Sequence, residues 1–93
     1  MNKATIIKSD GTEQVLDHRP TLNEAQKIVG GYIEFVSGKI NGKVVIMVVD
    51  EEGLLKHKPK NSKATLAYWA RYPGISSIIV GDVIILEGWR TVG

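Results

Sequence analysis

The sequence has no cysteine. That excludes a disulfide framework, a thiolate metal site and a cysteine nucleophile, and it suits a reducing compartment. Long apolar runs are missing too. The start offers only Ala4-Thr5-Ile6-Ile7, and Val44 to Val49 and Ile78 to Val80 are short. A membrane helix needs roughly 20 apolar residues, and a secretory leader needs a longer apolar stretch than that start supplies. A soluble protein of the cytoplasm with no membrane partner is expected. Neither sign of charge dominates: 12 basic and 10 acidic residues leave a net charge of +2, too mild to argue for nucleic acid.

Catalytic signatures are equally scarce. The two histidines, His18 and His57, sit in turn-like segments beside basic residues, where exposure is the ordinary state. There is no His-Glu-x-x-His spacing for zinc, no Gly-x-Ser-x-Gly elbow and no phosphate-binding Walker loop. The carboxylate pair Glu51-Glu52 falls in a turn, where solvation leaves acids ordinary. No cofactor is implied, and the reading points away from an enzyme.

What is present is one domain spanning 1–93, with no repeat, linker or low-complexity tract. Lys3 to Lys8 reads as a strand, Asp10-Gly11 as a tight turn, and Glu13 to Leu16 as the returning strand. Thr21 and Glu24 make a capping box for a helix running to about Val29, with Leu22, Ala25, Ile28 and Val29 on one face. Gly30-Gly31 stops it. Tyr32 to Val36 is a strand with Tyr32, Glu34 and Val36 on one face. Ser37 to Gly42 is a turn carrying the hairpin signal Asn41-Gly42. Lys43 to Val49 is a central strand buried on both faces. After the turn at Asp50 to Gly53, Leu54-Leu55 begins a short edge strand. Asn61 or Ser62 caps a second helix to Arg71, with apolar Leu66, Ala67, Trp69 and Ala70. Val83 to Glu87 is the last strand, and 88–93 is a tail with Trp89 and Arg90. The expected fold is α+β: a mainly antiparallel sheet of five to six strands with two helices packed on it.

The richest candidate for chemistry is the basic stretch Lys56, Lys58, Lys60, Lys63 and Arg71, which contains no acid. Lysines flanking a helix N-terminus make an anion site, and Tyr68, Trp69 and Tyr72 offer rings for stacking. Glu34 is the second candidate. On a buried face its carboxylate would need a partner, with Lys60, Arg71 or Arg90 available.

Across residues 3–87 the chain resembles the domain-of-unknown-function family numbered 3846. The resemblance rests on Ala4 to Gly11, Val29-Gly30-Gly31-Tyr32-Ile33-Glu34, Asp50-Glu51-Glu52-Gly53, Asn61-Ser62-Lys63-Ala64-Thr65 and Ile79 to Val83. Its tail beyond Glu87 lies outside that likeness. The resemblance implies an accessory protein of a phage or plasmid in a bacterial cytoplasm, with Tyr32, Glu34, Asn61 and Thr65 as its polar positions.

By analogy with phage proteins of this size, the leading expectation is an oligomeric sponge for a small anionic ligand, such as a cyclic-nucleotide or ADP-ribose-type immune signal. Lys60, Lys63 and Arg71 would hold phosphate, Asn61 and Glu34 would hydrogen-bond base or ribose, Tyr32 or Tyr68 would stack, and Thr65 would complete the ligand-binding set. The alternative is a protein–protein inhibitor of a host enzyme or defence factor, acting through an apolar patch around Trp69, Tyr72 and Trp89. Nucleic-acid binding ranks below both.

Overall fold

A computed structural model of the chain describes residues 2–89 and 91–93. Five strands and two helices follow one another as β1 (Lys3–Ile7), β2 (Glu13–Leu16), α1 (Leu22–Val29), β3 (Ile33–Ile40), β4 (Lys43–Asp50), α2 (Ser62–Arg71) and β5 (Val83–Glu87). The strands form one antiparallel sheet in the order β2-β1-β5-β4-β3. The last strand thus slots between two hairpins. The fold is α+β, as the pattern predicts.

The local causes are those the sequence announces. Asp10 Oδ1 accepts from the backbone N–H and the hydroxyl of Thr12, closing the β1–β2 turn. Thr21 and Glu24 form both halves of the capping box at α1. Gly30 ends that helix in the left-handed region, with φ 84°, which costs glycine no Cβ clash.

The helices lie on opposite faces of the sheet. Along β4, Val45, Met47 and Val49 join Ala64 and Ala67 of α2 in one core, while Val48 joins Ala25 and Val29 of α1 in the other. β5 divides the same way, Val83 and Ile85 against Ile84 and Leu86. This is why both strands read as nearly unbroken apolar runs. Each such fully buried side chain is worth about 2 kcal/mol.

Two expectations are corrected. The turn is only Asn41-Gly42, both at positive φ, and β3 runs on to Ile40. Gly38 pairs with Val45 in that strand, and an added Cβ there would sit 2.9 Å from Met47 Sδ; the glycine makes room for a core side chain rather than for a turn. Leu54 and Leu55 form no strand. They sit in consecutive turns, 61% and 78% exposed. On α2 the buried face is Ala64, Thr65 and Ala67, with Leu66 63% exposed and Ala70 also outside. Small residues on that face let the helix approach the sheet closely.

Candidate functional site

Much of the basic segment is engaged by the chain itself. Asp50, at the end of β4, has a buried carboxylate that accepts from Lys56 Nζ at 2.9 Å and pairs with Lys58 Nζ at 2.6 Å. The same two ammonium groups donate to the carbonyls that end α1: Lys58 to Val29 O and Lys56 to Gly30 O. Cations there also complement the helix dipole. Burial pushes the Asp50 carboxyl up, but the hydrogen bonds from Lys58 and Lys56 outweigh it and hold the group down to about 2. The glycine pair makes this possible. A Cβ on Gly31 would lie 2.5 Å from Lys56 Nζ, and one on Gly30 2.8 Å from Lys58 Nζ. The close approach that Gly30-Gly31 permits is therefore made by the chain's own lysines.

Asn61 and Thr65 are also occupied. Asn61 Oδ1 accepts from Ala64 N to cap α2, while Nδ2 donates to Ile7 O and Gly81 O, each at 2.9 Å. Thr65 Oγ1 donates to Ile79 O and accepts from Ile79 N. Both residues are buried, so neither presents a polar atom to a ligand. Together they fasten α2 to β1 and to the segment that feeds β5. Lys63, at the start of α2, pairs with Glu13 at 2.9 Å and donates to Gly11 O.

The remaining predicted residues are dispersed. Lys60 Nζ stands 5.4 Å from the centroid of Trp69. Arg71 Cζ lies 4.7 Å from that of Tyr72, and its Nε is buried without a partner among the described residues. Tyr32 precedes β3, is 69% exposed and borders a small hollow with Lys56 and Glu52. Glu34 is exposed, so it needs no buried partner; Arg90, one partner considered for it, lies outside the described residues. The apolar patch foreseen around Trp69, Tyr72 and Trp89 is split, because Trp89 packs on the α1 side of the sheet. Trp69 donates from Nε1 to Ser77 O. His18 is exposed between Asp17 and Glu24, whose hydrogen bonds, Asp17 first, raise its pKa.

What does converge is a groove between β3 and α2. Two hollows of about 390 and 410 Å³ share Val36 and Tyr68. The first is bordered by Leu54, Leu55 and Val80 and rimmed by Glu34 and Glu51; the second runs to Tyr72 and Ile75. Tyr68 and Tyr72 meet edge to face, with ring centroids 5.4 Å apart. No basic residue lines either hollow, and the third acid of the first hollow, Asp50, is neutralised by its lysines. Glu34 and Tyr68 were readable as candidates. Leu54 and Leu55 were visible as an apolar pair, but nothing in the sequence distinguishes an exposed turn from an edge strand there.

Among the described residues there is no cluster of metal-ligating side chains, and no helix is long and apolar enough to cross a membrane. The family model Domain of unknown function (DUF3846) matches residues 1–91, running past Glu87 into the tail. No curated protein and no solved structure matches the chain.

Proposed function

We propose that this chain, which belongs to the family Domain of unknown function (DUF3846), is a non-enzymatic protein-binding module whose contact surface is the β3–α2 groove. The observation that carries this reading is the groove's lining. Leu54, Leu55, Tyr72 and Ile75 are each at least 36% exposed around two adjoining apolar hollows that share Val36 and Tyr68, and such grouping marks a contact site more than scattered apolar residues do. In the mobile-element setting that the family resemblance implies, the partner is a host enzyme or defence factor. The capture of a small anion has less support. Lys56, Lys58 and Lys63 are engaged within the chain, Asn61 and Thr65 are buried, and only Lys60 and Arg71 of the proposed phosphate contacts carry no acidic partner among the described residues.

The test pairs affinity capture from host lysate with direct titration of whatever is captured. Wild-type protein should retain one stoichiometric host protein without any added small molecule. Leu55→Glu and Tyr68→Ala should lose it while keeping the fold by circular dichroism. Calorimetric binding of a cyclic nucleotide or a cyclic ADP-ribose isomer, sensitive to Lys60→Ala and indifferent to the groove variants, would overturn the proposal in favour of the anion reading.

A further inference from the structure

The groove also carries a charge pattern that specifies what it receives. Its deeper half has an aliphatic wall of Val36, Val49, Leu54, Leu55 and Val80. The acids at its border are Glu34 on β3 and Glu51 in the turn after β4, both exposed. Lysines come near, but they face elsewhere: Lys56 and Lys58 turn toward α1 and cover Asp50 from the opposite side of the sheet. A chain with net charge +2 thus keeps an acidic rim on an apolar cleft. Buried anions would be repelled there, and a partner's basic side chain would be drawn to it.

We infer that the occupant is an extended segment of a partner protein that places an aliphatic or aromatic side chain in the cleft and a lysine or arginine against Glu34 and Glu51. This rests on the groove being the contact surface and adds the partner's chemistry. The apolar anchor supplies most of the affinity, as buried side chains at interface centres do. The rim charges act on the rate of encounter and on selectivity against acidic segments.

The experiment uses fluorescently labelled peptides that alternate leucine with lysine, with glutamine or with glutamate, read by anisotropy against the full chain. The leucine–lysine peptide should bind roughly tenfold or more tightly than the leucine–glutamine one, and the leucine–glutamate peptide more weakly than both. Added salt should narrow the difference. The double variant Glu34→Lys, Glu51→Lys should reverse the order, while its circular dichroism and unfolding midpoint stay close to wild type. An order unchanged by that double substitution would overturn the inference. So would self-association of the wild type that the same substitutions abolish, because the groove would then hold a second copy. If Leu55→Glu still abolishes capture of the host protein but the charge reversal does not affect it, only the partner's chemistry is wrong. If neither matters, the groove reading itself fails.

Discussion

The two ends of the polar network around α2 are built on opposite plans. At the helix start every polar atom of the Asn61 side chain is spent on the chain itself, and Thr65 answers both backbone groups of Ile79. Farther along, the same helix presents Tyr68 and Tyr72 to an open groove whose other wall is β3 and whose border is two exposed leucines. Residue type is a poor guide to which plan applies. Lysines, an asparagine and a threonine, which sequence reasoning associates with ligands, are structural here; leucines, which it associates with cores, are at the surface. A buried polar group must be paired and gives stability through that pairing. An exposed apolar group gives none, and its value lies in what it meets.

The contrast breaks most visibly at Asn61. Asn61→Ala removes the cap and leaves Ile7 O and Gly81 O without their donor, so a loss of about 3 kcal/mol is expected by chemical denaturation. Asn61→Asp sharpens the point. It keeps the capping oxygen but replaces the donor with a second acceptor facing two carbonyls. If it matches wild type, the side chain is only a cap and the proposed fastening of α2 to β1 is wrong.

Asp50 comes next. Asp50→Asn leaves two lysines against the end of α1 without their countercharge, and about 2 kcal/mol should be lost. The pH dependence has a definite sign. The folded carboxyl is held at about 2, below its ordinary 3.8. Its contribution is therefore complete above about pH 4 and disappears as pH falls toward 2. Urea midpoints measured across that window should drop steeply for wild type and less steeply for Asp50→Asn. Parallel curves would show that the lysine pair does not stabilise the charged form.

How much of this was legible follows from what each signal depends on. The capping box, the glycine stop at Gly30 and the limits of β2 and β5 are set within a few residues, so local pattern finds them. The course of Lys56 and Lys58 depends on α1 ending beside β4, a contact between segments nearly thirty residues apart, and no local pattern carries it. Asn61 was readable as a helix cap, because Oδ1 serves its own helix. Its two donated bonds reach β1 and Gly81, and those were invisible. Gly38 misled for a similar reason. Next to Asn41-Gly42 it looks like part of a turn, whereas it pairs with Val45 in the ladder and the Met47 side chain lies over it. Gly38→Ala should accordingly cost about 1 kcal/mol, as Met47 is forced from its position; no change in denaturation midpoint would mean that the core there has slack.

The smallest effect on stability is expected in the open half, and it is the one that matters most for function. Leu55 is 78% exposed in a turn and contributes little to either core, so Leu55→Glu should change stability by less than about 0.5 kcal/mol. The added charge faces a rim that already holds Glu34 and Glu51, which makes the groove hostile to an apolar anchor. Partner binding should fall by at least about tenfold, a difference of roughly 1.4 kcal/mol. That pairing of outcomes separates the two plans: Asn61→Ala lowers stability, and its effect on binding should follow the unfolded fraction, whereas Leu55→Glu lowers binding in a protein that remains folded. If Leu55→Glu also unfolds the chain, the leucine holds the 51–57 turns together, and the groove loses its strongest claim to being a contact surface.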